Sequence, residues 1–314
     1  MKNHSWMKQC NVPPGTLVTG KWHKQRYRVV KRLGSGANGV VYLAKGKDGY
    51  SALKMSDDSM SIMAEVNVLK AFSQVQGPSL GPSLLDVDDW EQPAAARALP
   101  FYVMEYIEGP VLLDFINNKG SHWSAVLIVQ LLDILDQMHR QGWVFGDLKP
   151  ENLIVSTPRT RIRCIDVGGT TKQGRSIKEF TEFFDRGYWG LGSRKAEPSY
   201  DLFSTAMLMI NSYYPSRFVK NGNGLEQLHH MIRKNSGLLQ YERVLHKALE
   251  GKYRSAAEMK NDLLGILSAP RSSRKTQAKS RQGHGKKKGS MIETAGVLFI
   301  TTFLYGLYIY LFLL

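Results

Sequence analysis

Asp147-Leu148-Lys149-Pro150-Glu151-Asn152 is the stretch on which the reading of this 314-residue chain turns. It sets an Asp, a Lys two residues on and an Asn three further on within one tight loop. Carboxylate, cation and amide at that spacing offer a proton acceptor, a neutralising charge for phosphate and a metal ligand. Phosphoryl transfer needs such groups together, because its reacting centre asks for positioning and charge stabilisation more than covalent chemistry. Six residues can match by chance, so the weight falls on what flanks them.

Upstream, residues 27–33 read as a strand, and Gly34-Ser35-Gly36-Ala37-Asn38-Gly39-Val40-Val41 turns back into a second strand at 41–44. Glycines at 34, 36 and 39 let the backbone approach phosphates and expose N–H groups to them. Alone, the pattern is more often a plain hairpin. Strands on both sides and Val40 after the third glycine separate it from the dinucleotide fingerprint, which runs into a helix. Residues 51–54 form a strand ending in Lys54, by itself a solvent-facing lysine. Residues 59–72 carry Ile62, Met63, Val66, Leu69 and Phe72 at helical spacing, with Glu65 among them. Pro78, Gly81, Pro82, Asp86, Asp88 and Asp89 mark loops between strands, and residues 100–109 give a strand and a turn. Residues 124–141 form a helix apolar around much of its circumference, hence deeply buried. Short strands at 153–155 and 163–165 lead to Asp166-Val167-Gly168, a pattern that in isolation is commonly just a turn. Residues 1–25 have no period and read as a leader that packs loosely or not at all.

In this order the elements match a known pattern: Asp147 to Asn152 resembles the catalytic loop of Hanks-type serine/threonine protein kinases, in the Lys149 form used by serine/threonine kinases. The resemblance implies an α+β fold of two lobes, a small β-rich N-lobe and a larger helical C-lobe, over residues 26–268. It implies ATP and Mg²⁺, with Mn²⁺ as the alternative. Asp147 would be the base, Lys149 would meet the γ-phosphate, and Asn152 and Asp166 would hold the metal. Lys54, paired with Glu65, would reach the α- and β-phosphates beneath Gly34, Ser35, Gly36, Ala37, Asn38, Gly39 and Val40. Met104 would guard the back of the nucleotide pocket, and backbone groups of Glu105 to Ile107 would bond adenine. Residues 169–195 would be the activation segment, with Thr170, Thr171, Ser176 and Thr181 as candidate phosphorylation sites. Asp201 would brace the catalytic-loop backbone, its other reading being a helix N-cap. Arg254 matches the family's late structural arginine, with Glu197 as its candidate partner.

Some residues depart from the pattern. Phe145 and Gly146 stand where the family usually has His and Arg, and that Arg commonly anchors a phosphorylated activation-loop residue. Its loss argues against that mode of switching. Val167 replaces the usual Phe, and the larger ring of Phe145 would fill the volume lost there. No Thr in the loop is evident as a contact for the acceptor residue. These departures sustain a rival reading, a pseudokinase acting as a membrane-tethered scaffold.

A formal charge of +15 calls for a polyanionic neighbour. About half of the excess lies in residues 269–290, in Arg271, Arg274, Lys275, Lys279, Arg281, Lys286, Lys287 and Lys288. Such a run cannot bury a core and reads as a disordered linker. It would serve either as a tether or as a binder of anionic lipid or DNA phosphates. Residues 295–314 carry no charge, and at 1.5 Å per residue a helix there is ~30 Å long, a bilayer's hydrocarbon thickness. A C-terminal transmembrane helix over 291–314 is therefore expected, with the kinase domain cytoplasmic because basic residues precede the span. The arrangement resembles membrane-anchored kinases of spore-forming bacilli, which implies DNA as ligand and activator. Crowding on a polyanion would favour self-association and mutual phosphorylation. Two cysteines, Cys10 and Cys164, are too few for a disulfide framework.

Overall fold

Period-two alternation builds the first half of the fold. The computed structural model describes residues 10–36, 38–75, 79–91 and 98–269. Strands β1 (Leu17–Thr19), β2 (Arg26–Gly36), β3 (Gly39–Gly46), β4 (Gly49–Met55), β5 (Leu84–Trp90) and β6 (Leu99–Glu105) form one antiparallel sheet in the order β1-β2-β3-β4-β6-β5. Along β3 and β4 successive side chains go to opposite faces. Val40, Tyr42, Leu53 and Met55 enter the small-lobe core, while Val41, Ala52 and Lys54 line a cleft. The strand pleat thus delivers the lysine to that cleft.

Helix α1 (Ser59–Ser73) starts on Asp58, whose carboxylate accepts the Met60 and Ser61 N–H groups at 2.9 and 3.3 Å. It buries Ile62, Glu65, Val66, Val68, Leu69 and Phe72 and packs on β5 and β6. A carboxylate on an apolar stripe needs a buried partner, and Glu65 has one in Lys54.

The second half is helical. Helices α2 (Leu112–Lys119) and α3 (His122–Arg140) lead through β7 (Trp143–Val144) into the loop that holds Asp147. A short 3₁₀ turn, Pro150–Asn152, then opens the hairpin of β8 (Leu153–Ser156) and β9 (Arg161–Cys164). After β10 (Thr171–Lys172), which pairs with β7, come α4 (Arg186–Trp189) and α5 (Pro198–Tyr213). Helix α5 is buried along nearly its whole length and forms the centre of the large lobe. Helices α6 (Gly224–Lys234), α7 (Ser236–Leu239), α8 (Glu242–Leu249) and α9 (Ala256–Ser268) complete it. The two-lobed α+β architecture expected from sequence is the one observed.

Two expectations are corrected. Residues 10–25 do not pack loosely: Cys10 is fully buried, β1 pairs with β2, and the Trp22 and His23 N–H groups bond the Asp88 carboxylate at 2.9 and 2.7 Å. Asp86, Asp88 and Asp89 are not loop residues but belong to β5. An edge strand tolerates acids, and here they bind the N-terminal segment instead of water.

The chain divides into two units, Met1–Ser268 and Ala269–Leu314. Among the described residues no helix is long and apolar enough to cross a membrane. The basic run and the apolar stretch after it lie outside the described residues.

Candidate active site

Between the lobes lies a cleft of about 860 Å³. On its small-lobe wall the Lys54 Nζ donates to both Glu65 oxygens at 2.8 and 2.6 Å, and the Tyr102 hydroxyl donates to Glu65 Oε2 at 2.7 Å. Breaking a buried pair of this kind leaves an uncompensated charge. Burial alone would push the Lys54 ammonium down, but the carboxylates of Asp166, with Oδ1 at 3.8 Å, and of Glu65 outweigh it and shift it up. Lys54 is therefore a fixed cation facing the cleft.

On the opposite wall the loop is shaped by backbone as much as by side chains. The Phe145 and Gly146 N–H groups donate to the Asp201 carboxylate at 2.8 and 3.0 Å, and His139 Nε2 lies 2.8 Å from the same carboxylate. Asp201 sits inside α5 while Glu197 occupies the N-cap position, so the bracing reading of Asp201 holds and the capping one does not. Gly146 has φ of +85°, and a Cβ there would lie 2.8 Å from the Gly169 carbonyl oxygen. The glycine in the family's Arg position is thus required by the path of this chain.

Asp147 is held on three sides. Lys149 Nζ pairs with its Oδ2, the Thr181 hydroxyl donates to Oδ1 at 3.0 Å, and Asn152 Nδ2 donates to its backbone carbonyl at 2.9 Å. The Ile165 N–H donates to the Asn152 carbonyl at 3.0 Å, which ties the Asn152 and Asp166 turns together. Asp166 remains about half exposed, and its Oδ1 accepts the Gly168 N–H at 3.0 Å. A carboxylate and an amide oxygen beside a fixed cation form a hard-oxygen donor set, which suits a divalent cation with phosphates.

Residues 27–284 match the family described as protein kinase domain. The chain belongs to the protein kinase family. It is 50% identical to serine/threonine-protein kinase YabT of Bacillus subtilis (strain 168), over 97% of this chain and 97% of that protein. Probable serine/threonine-protein kinase YbdM of the same organism is 27% identical, over 79% of this chain and 91% of its own length. Among solved structures, the Mycobacterium tuberculosis PknI kinase domain shares the fold with a TM-score of 0.57 at 17% identity, covering 82% of this chain and 100% of that one. Vaccinia related kinase 3 does so with a TM-score of 0.59 at 18% identity, covering 82% of this chain and 91% of its own. This kinase is a serine/threonine protein kinase, and as such it uses ATP, a divalent metal and protein substrates.

The structure of the kinase brings Gly34, Ser35, Gly36, Asn38, Gly39, Lys54, Met104, Glu105, Ile107, Asp147, Lys149, Asn152 and Asp166 to this cleft, with Glu65 behind Lys54. Ala37 lies outside the described residues. Val40 faces the small-lobe core, and by strand alternation Val41 takes the place at the cleft. The Glu105 N–H donates to the Ser83 carbonyl at 2.8 Å, so that hinge donor is already engaged. Phe145 and Val167 are both buried in one apolar core that also takes in Val66, Leu69 and Phe72 of α1.

Other assignments change. Thr170 and Thr171 are buried, because β10 pairs with β7, whereas Ser176 is exposed. Glu197 pairs not with Arg254 but with Arg186 Nη2 at 2.5 Å, and Arg186 also bonds the Ser193 carbonyl and the Ser199 hydroxyl. Arg254 is exposed. Sequence reasoning gave Thr181 only as a candidate phosphorylation site, whereas its hydroxyl donates to Asp147 in the catalytic loop. It missed Glu179, which accepts from the Asn38 amide of the glycine-rich turn and lines the cleft. Burial and the neighbouring Asp166 push the Glu179 carboxyl up from its ordinary range. No local pattern marked either contact, since both join distant parts of the chain.

Proposed function

We propose that this serine/threonine kinase transfers the γ-phosphate of Mg-ATP through Asp147, Lys149, Asn152, Asp166 and Lys54, and that it works anchored to a membrane with a polyanion-binding tether. The observation that supports the catalytic reading is the convergence of these five side chains on one cleft with the Lys54–Glu65 pair formed. Asp147 orients the acceptor hydroxyl and accepts its proton, while Thr181 and Lys149 fix its carboxylate. Lys54 neutralises the α- and β-phosphates, and Lys149 does so at the transferred group. Backbone N–H groups of the glycine-rich turn cap the phosphates from above. Asp166 and the Asn152 amide oxygen are the residues that would hold Mg²⁺, whose contribution is to offset charge on the phosphate oxygens.

Transfer of labelled phosphate by the wild type and by Lys54→Ala tests this reading. A loss of about 10²-fold or more is expected for removal of such an electrostatic contact. Equal incorporation by both proteins would favour the scaffold.

For the tail, the reading rests on composition: eight basic residues without an acid in residues 270–289, then an uncharged apolar stretch. The apolar stretch inserts as a C-terminal anchor, leaving the kinase domain in the cytoplasm. The basic run takes DNA by counterion release with little sequence preference, since no aromatic residue is interleaved for base stacking. Binding to duplex DNA should therefore weaken steeply with salt, and deletion of residues 270–289 should remove most of that slope. Kinase assays with and without duplex DNA and with anionic vesicles would show which polyanion stimulates transfer. Affinity that ignores salt and survives the deletion would sink the DNA reading.

A further inference from the structure

Helices α6 and α8 bring together a group of side chains that the kinase reaction does not use. His229 lies on α6, His246 on α8, and Glu250 directly follows α8. His246 and Glu250 are four residues apart, which sets them on one helical face. The two imidazoles stack at a centroid distance of 3.6 Å and an interplanar angle of 22°. Neither Nε2 has a hydrogen-bond partner, although both are shut off from solvent. The carboxylates nearby do not serve them: Glu250 Oε1 is 3.6 Å from His229 Nε2, and Glu242 Oε1 is 4.0 Å from His246 Nε2. Each unserved buried nitrogen costs stability and calls for an explanation.

The chemistry of the three groups supplies one. Their donor atoms all lie within 4.8 Å of one another. A tetrahedral Zn²⁺ with bonds near 2.1 Å sets its ligand atoms about 3.4 Å apart. The His229–Glu250 separation of 3.6 Å is close to that, and the donor atom of His246 lies within 4.8 Å of both. Burial holds both imidazoles below their usual range, so they stand as neutral ligands. Lys252 pairs with Glu250 Oε2 and holds that carboxyl below its usual range, hence ionised.

We propose that His229, His246 and Glu250 form a binding site for Zn²⁺ or a similar borderline divalent metal, completed by water, that ties α6 to α8 outside the nucleotide cleft. Two imidazoles and one carboxylate are a ligand set that zinc accepts. The site would act on the large lobe as a cross-link over residues 235–241, raising its resistance to unfolding.

The test uses the full-length protein, stripped with a chelator and kept free of nucleotide. Zn²⁺ is titrated in competition with a chromophoric chelator, and Co²⁺ is used for its absorption spectrum. One site per chain is expected in the wild type and in Asp166→Asn, with the intense visible bands of tetrahedral Co²⁺ and a Zn²⁺-dependent rise in Tm. His229→Gln and His246→Gln should weaken binding by more than about tenfold and abolish the bands. Glu250→Gln, at a less buried position, should weaken binding in a protein that folds normally. Undiminished zinc affinity in these three variants, or no binding by the wild type, would overturn the proposal. Because no readout depends on phosphate transfer, either result leaves the kinase reading untouched.

Discussion

Gly146 shows how a single residue can carry two messages. In sequence it is the absence of an arginine from a motif; in structure it is a backbone at φ +85° with the Gly169 carbonyl oxygen where a side chain would begin. Restoring the family's usual residue should therefore fail. Gly146→Arg is expected to lose about 1–3 kcal/mol of stability to strain, with no gain of phosphate-dependent switching. Urea midpoints of the two proteins, with activity before and after autophosphorylation, would check it; an unchanged midpoint would show that the loop can relax. Lys54, Asp147, Asn152 and Asp166 were legible because short loops and strand ends encode their positions locally. The contact of Thr181, named from sequence only as a candidate phosphorylation site, was not, because only the folding back of the activation segment sets its hydroxyl 3.0 Å from Asp147.

At the scale of elements, periodicity was a good guide wherever one face is buried. The helix expected at 59–72 is α1, Ser59–Ser73, and the one expected at 124–141 is α3, His122–Arg140. Periodicity failed at β5, whose acids look like loop residues until their partners are known. Asp88 is buried there and accepts the N–H groups of Trp22, His23 and Asp89. Burial pushes its carboxyl up, but these three donors prevail and hold it below the usual carboxylate range. A depressed folded-state value means that the stabilisation is present above the ordinary Asp pKa of about 3.9 and is lost as pH falls through the lower folded value. The wild type should accordingly lose stability on acidification below about pH 4. Asp88→Asn should be less stable at neutral pH and show a shallower acid dependence. Chemical unfolding at a series of pH values measures both, and parallel curves would remove Asp88 as the anchor of residues 10–25.

Across the whole kinase domain, one guanidinium bridges the two lobes beside the hinge. Arg163, on β9 of the large lobe, donates to Glu105 Oε1 and Oε2 at 3.2 and 2.9 Å and to the small-lobe Gly81 carbonyl at 3.3 Å. Glu105 closes the last small-lobe strand, and its carboxylate also accepts the Ser83 N–H at 3.2 Å. Sequence pointed to Glu105 only for its backbone, since nothing in residues 100–109 names a partner on a strand of the other lobe. A fork that grips a carboxylate with both arms and a carbonyl with one of them fixes direction as well as distance, which a single ammonium cannot do. Lobe closure sets how tightly nucleotide is held, so the contact should act on binding more than on chemistry. Arg163→Lys is expected to raise the KM for ATP several-fold with a smaller change in kcat. Its cost in stability should stay below about 2 kcal/mol, because both side chains are partly exposed. A KM equal to that of the wild type would mean that packing along the hinge, and not this fork, sets the angle between the lobes.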